Sequence, residues 1–135
     1  MNVPPSVLDA SVFVAAMSPY EVHHARAKEL WLSPQRFVVP ALFRVEVLAA
    51  MTRRGEPPAV VDAIAALARS HRFTVVPVDD ALVDRACLIA KTAKIRGYDA
   101  IYAATASLHD APLLTFDQEL GARLQASWPS VTVVR

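Results

Sequence analysis

Five short apolar runs punctuate this chain, and longer helical stretches separate them. The runs are Ser6 to Leu8, Phe37 to Val39, Phe73 to Val78, Leu113 to Thr115 and Val131 to Val134. They are short and do not alternate with polar residues, the pattern of strands buried on both faces. Between them the sequence predicts helices over Ser11–Met17, Tyr20–Leu32 and Ala41–Arg54, then from Pro57-Pro58 to about Ser70, from Asp79 or Asp80 to Arg96, and over Tyr98–His109 and Gln118–Ala126. Pro19 breaks the first helix, Gly55 stops the third, Pro57-Pro58 opens the fourth and Gly97 closes the fifth, each with the ordinary chemistry of a helix end. Strands alternating with helices require βαβ crossovers, and hence a parallel sheet covered on both faces. The expected fold class is therefore α/β: a central, mostly parallel five-stranded sheet in a three-layer α/β/α arrangement, as a single domain over residues 1–135.

A chain of 135 residues with 54% hydrophobic content can bury a substantial core. No linker, repeat or charge block divides it. A formal net charge of only +1 excludes a basic nucleic-acid coat, so polyanion binding has to rest on a local patch. The lone Cys87 cannot form an intrachain disulfide, which fits a reducing compartment. The first residues lack a positively charged segment, Asp9 interrupts their apolar stretch, and no apolar run is long enough to span a bilayer. The expected setting is cytoplasmic, with no membrane contact.

Against this background four acids stand out. Asp9 ends the run Val7-Leu8, Asp117 follows Leu113-Leu114-Thr115-Phe116, Glu46 lies within a very apolar helix and Asp99 opens an Ala-rich one. Carboxylates against apolar surroundings are costly unless compensated, and several together raise one another's pKa values. A divalent cation removes that cost, and Mg²⁺ prefers hard carboxylate oxygens and water. The pattern therefore points to a metal site for phosphate chemistry. In open parallel sheets, ligands bind beyond the C-terminal strand ends at a topological switch point. Asp9 and Asp117 meet there if the first and fourth strands are neighbours, an order that the sequence leaves open. Asp9, Asp99 and Asp117 also suit helix caps, which does not exclude ligation. Glu46 is too far inside its helix to cap anything; an ion pair with Arg53 is its plainer alternative. Ser11 and Thr115, each two residues from an acid, are candidates to orient a carboxylate from behind. Asp79 and Asp80 read as caps, Glu119 as a first-turn helix acid, and His23 and His24 as surface residues. Zinc spacing and a Gly-rich phosphate loop are both absent.

Four blocks carry a family resemblance: Val7-Leu8-Asp9-Ala10-Ser11, Val39-Pro40-Ala41 leading to Arg44-Val45-Glu46-Val47-Leu48, Tyr98-Asp99-Ala100-Ile101-Tyr102-Ala103-Ala104-Thr105-Ala106, and Leu113-Leu114-Thr115-Phe116-Asp117. In order, spacing and chain length they resemble the PIN-domain ribonucleases, and within them the small VapC-type toxins of bacterial toxin–antitoxin modules. The resemblance implies a Mg²⁺-dependent endoribonuclease, with Mn²⁺ as a substitute, that is a homodimer held in check by an antitoxin protein. It implies Asp9, Glu46, Asp99 and Asp117 as catalytic metal ligands, with the family's hydroxyl positions at Thr115 and Ser11. Arg53, Arg54, Arg72 and Arg96 are candidates for holding the RNA backbone, and a solvated basic surface is the alternative for each. Two rivals remain: a phosphorylation-controlled signalling domain, which wants a lysine after a late strand where this chain has none beyond Lys94, and a catalytically silent PIN-like binding module.

Overall fold

The computed structural model describes residues 4–135, so the first three residues of the expected domain lie outside the description. Its elements are β1 (Ser6–Leu8), α1 (Ala10–Met17), α2 (His24–Leu32), β2 (Phe37–Pro40), α3 (Leu42–Arg53), α4 (Pro58–Leu67), β3 (Phe73–Val76), α5 (Asp80–Ala93), α6 (Gly97–Leu108), β4 (Leu113–Leu114), α7 (Gln118–Ser127) and β5 (Val133–Val134). The strands form one sheet in the order β3-β2-β1-β4-β5, and every pairing is parallel. The chain steps outward from β1 to β3, returns to β4 and steps outward again to β5. That reversal puts the switch point between β1 and β4, the neighbours that the meeting of Asp9 and Asp117 requires.

The helices fall into two groups. Helix α1 packs on α2 and α3, and α3 on α4; α5 packs on α6 and α7. The groups cover opposite faces and complete three layers. They are packed differently. Beneath the first group lies an aromatic cluster in which Phe13, Phe43, Phe73, Phe37 and Trp31 pack with ring centroids 5.1 to 5.9 Å apart. Beneath the second, Ala86, Ala93, Ala100, Ala103 and Ala104 are buried, and small side chains let α5 and α6 approach closely.

Several boundaries differ from expectation for local reasons. Helix α2 begins at His24, because Tyr20 to His23 close turns through Glu21 N–H to the Ser18 carbonyl and His24 N–H to the Glu21 carbonyl. Strand β3 stops at Val76, since Pro77 has no N–H for a ladder. Helix α5 stops at Ala93, where Lys94 turns left-handed at φ 57°. Gly97, expected to end that helix, instead opens α6. Gly55 does what its position predicts: at φ 76° it closes α3 beyond Arg54. Among the described residues, no helix is long and apolar enough to cross a membrane.

Candidate functional site

The acids gather at the C-terminal edge of the sheet. Asp9 follows the last residue of β1 and caps α1. Its Oδ1 accepts the backbone N–H of Ser11 at 3.3 Å, and its Oδ2 accepts the Thr115 hydroxyl at 3.0 Å. Thr115 is buried just beyond β4 and its Oγ1 also accepts the N–H of Asp117 at 3.2 Å. One hydroxyl thus ties together the two residues that follow neighbouring strands. Asp117 caps α7, accepting the Leu120 N–H at 3.0 Å.

Glu46 reaches the same edge from α3. Its Oε1 accepts the Tyr102 hydroxyl at 2.6 Å, which joins α3 on one face to α6 on the other. Asp99 stands in the first turn of α6, where it pairs with Arg96 at 3.2 Å. It is not the cap, which is Arg96 itself. Tyr102 is the contributor that residue-by-residue reading passed over. The available signal was its spacing, one helical turn beyond Asp99 in an Ala-rich helix, where a buried phenol needs a partner.

Burial acts on an inner pair of carboxyls, Asp9 and Glu46. Burial pushes the Asp9 carboxyl above its ordinary range; the hydrogen bonds from Thr115 and Ser11 work against this, and the charge of Asp99 adds to it. Burial likewise raises Glu46, opposed by the Tyr102 bond and reinforced by the charges of Asp9 and Asp99. The Tyr102 hydroxyl is in turn raised by its burial and by Glu46, so it stays a donor. Asp99 and Asp117 are the outer pair. They border a cleft of about 370 Å³ together with Lys94, Arg96, Glu119 and Arg123. The Arg96 guanidinium is raised by its bond to Asp99, with smaller contributions from the charges of Asp117 and Asp9.

These oxygens are a donor set for a hard cation that keeps several of its own waters. Among the described residues, no three His, Cys, Asp or Glu side chains close on a single point. Each carboxylate is turned instead to a donor of its own: Thr115 for Asp9, Tyr102 for Glu46, Arg96 for Asp99 and the Leu120 N–H for Asp117.

The other expected residues are dispersed. Arg53 is exposed at the end of α3, and Arg54 pairs with Glu21, so neither bonds to Glu46. Arg72 stands apart from the acids. It sits at the opposite, N-terminal edge of the sheet, just before β3, where its guanidinium bonds the carbonyls of Trp31, Ser33 and Gln35 and stacks 4.1 Å from the Trp31 ring centroid. Of the four arginines, only Arg96 touches one of the acids.

The PIN-domain family profile matches residues 6–123. Comparison with curated proteins finds no match. Among solved structures, VapC20 of Mycobacterium tuberculosis, described as a sarcin–ricin loop cleaving toxin, superposes with a TM-score of 0.74 at 22% identity over 86% of this chain and 92% of its own. FitAcB of Neisseria gonorrhoeae gives 0.71 at 18% identity over 96% of each chain. A toxin–antitoxin complex from Klebsiella pneumoniae gives 0.68 at 20% identity, again over 96% of each. At such identities the likeness is one of fold, and it agrees with the parallel sheet described above. With the profile spanning most of its length, the chain belongs to the PIN-domain family.

Proposed function

We propose that this protein is a metal-dependent endoribonuclease that hydrolyses RNA phosphodiester bonds, and that it is the toxin of a type II toxin–antitoxin module. One observation carries the reading: Asp9, held by Thr115, and Glu46, held by Tyr102, stand within reach of each other's charge and of that of Asp99, and both carboxyls are raised by burial. Asp99 has Arg96 as an ion-pair partner, but Asp9 and Glu46 are met by neutral donors alone, a charge that a divalent cation would neutralise. Mg²⁺ fits the oxygen-only donors, with Mn²⁺ as a substitute. Asp9, Glu46, Asp99 and Asp117 would hold it.

When bound, the cation supplies Lewis acidity toward water and toward the phosphoryl oxygens. The chain's own residues do the positioning. Thr115 holds Asp9 by its Oδ2, and Ser11 holds the same carboxylate through its backbone N–H. Tyr102 fixes Glu46 across the two layers. Arg96, largely exposed beside Asp99, is the cation best situated to meet an RNA phosphate at the mouth of the site.

Family membership and the toxin neighbours support RNA as substrate and an antitoxin protein as partner. A homodimer is supported by exposed apolar residues on α3 and α5: Val45, Leu48, Val83 and Leu88 all keep more than a third of their surface. Val45 and Leu48 line a groove between α3 and α4 with Ala65 and Ala66. A cytoplasmic setting follows from the same reading. Purified protein should cleave RNA with Mg²⁺ or Mn²⁺ and stop in EDTA, and Asp9→Asn should be inactive while still folded. Full activity in EDTA, with contaminating nucleases excluded, would refute it.

A further inference from the structure

The turn between α1 and α2 stacks a ring on the segment between β4 and α7. His23 lies on Phe116, centroids 4.6 Å apart and planes 28° from parallel. Phe116 is the residue between Thr115, which holds Asp9, and Asp117. The Asp117 N–H to Thr115 Oγ1 bond spans Phe116, so the ring rises from the same short segment that carries Thr115 and Asp117. Phe116 is half-buried and His23 is exposed. The imidazole therefore covers the inner ring and turns its second face outward. On the same turn Tyr20 and Val22 stand 94% and 88% exposed, more apolar surface than a connecting turn requires.

The turn is braced at both ends. Glu21 pairs with Arg54 at the end of α3, and the His24 Nδ1 meets the Ala15 carbonyl of α1 at 2.8 Å. A braced, outward-facing ring beside a phosphate-cleaving centre is suited to one ligand, the flat face of an unpaired nucleobase. Single-stranded RNA is held largely by stacking of its bases on aromatic side chains, His included. Because the turn is already braced, little ordering cost opposes binding.

The geometry points to a base-stacking platform, made of His23 on Phe116, that seats a nucleobase of the RNA next to the bond to be cut. The platform adds to the proposed nuclease function and rests on it. It positions the strand and biases which base neighbours the cleaved phosphate; neither ring takes part in the chemistry.

The test uses the full-length protein and short single-stranded RNAs carrying 2-aminopurine at successive positions, with Asp9→Asn as the non-cleaving background for binding. In that background His23→Ala and Phe116→Leu should each weaken RNA binding about tenfold and abolish fluorescence quenching at one position beside the cut. His23→Tyr should restore both. In the cleaving protein, the two losses should appear in KM with kcat nearly unchanged, and the base preference beside the cut should flatten. Unaltered affinity and quenching in both variants, while the parent still cleaves, would overturn the platform and leave the nuclease reading standing. A change in oligomeric state by light scattering, with RNA binding intact, would overturn it too and assign the rings to a protein contact. A parent protein that fails to cleave any RNA with Mg²⁺ would remove the nuclease reading, and the platform with it.

Discussion

The two edges of this sheet treat charge in opposite ways. At the N-terminal edge one cation, Arg72, is drawn into the aromatic cluster and supplied with all it needs: three carbonyls, and the faces of Trp31 and Phe37. At the C-terminal edge Asp9 and Glu46 are partly desolvated, crowded with like charge and steadied by neutral hydroxyls, while Asp99 has Arg96 beside it. The first arrangement stabilises the fold. The second costs stability through desolvation and like-charge repulsion, which on the proposed reading a bound cation relieves. Substitutions at the two edges should therefore move stability and activity in opposite directions.

The largest effect is expected at the acidic edge. Asp9→Asn should lower RNA cleavage by at least about a hundredfold, the order seen when a charge-stabilising group is lost. Its melting temperature without metal should equal or exceed that of the parent, since a desolvated like charge is gone. Activity assays beside thermal melts in EDTA check both halves, and retained activity would break the contrast. At the other edge, Arg72→Ala should cost roughly 2 kcal/mol of stability through lost charged hydrogen bonds and ring stacking. Denaturant titration reads that loss. The cleavage rate per folded molecule should not change; a raised KM in this variant would return Arg72 to the RNA surface.

Next come the two hydroxyls. Tyr102→Phe and Thr115→Val each free one oxygen of an inner carboxylate, and should weaken the Mn²⁺ dependence of cleavage about tenfold, the lower end for groups that orient a ligand. An unchanged Mn²⁺ midpoint in both would mean that the inner pair needs no such support.

The smallest effect is on pH. Asp9 and Glu46 are both held above their ordinary values in the folded chain. A raised acid favours the fold in its protonated form, so its contribution is complete below the unfolded value and lost as pH rises through the folded one. The metal-free protein should accordingly gain stability as pH falls from neutral toward the ordinary carboxylate range near about 4. Melts in EDTA across that window should show the gain, and Asp9→Asn should reduce it. A slope of opposite sign in the parent would contradict the crowding.

Much of this was legible in the chain, for identifiable reasons. Val7-Leu8 and Phe37-Val38-Val39 are too apolar and too short to be anything but buried parallel strands, and Gly55 and Asp79 end and begin helices by chemistry that acts locally. The placement of Asp9 and Asp117 after their strands was equally readable. Whether those strands are neighbours was not, because pairing of β1 with β4 depends on the return of the whole chain across the sheet. Arg72 shows the same limit from the other side: nothing local separates an arginine that faces phosphate from one that folds back onto Trp31. Tyr102 was hidden because its partner Glu46 is 56 positions away in sequence. The turn from Lys94 to Gly97 misled because a lysine took the left-handed position that a glycine nearby invites.

Uptake of a divalent cation by the crowded acids, and cleavage of RNA with it, is the proposed activity. It is tested most directly by titrating Mg²⁺ into EDTA-stripped protein and following cleavage of RNA, for the parent and for Asp9→Asn side by side. A saturable rise in cleavage for the parent, with none for the variant at any Mg²⁺ concentration, is the predicted result. Equal cleavage by both proteins, or cleavage indifferent to Mg²⁺, would contradict it.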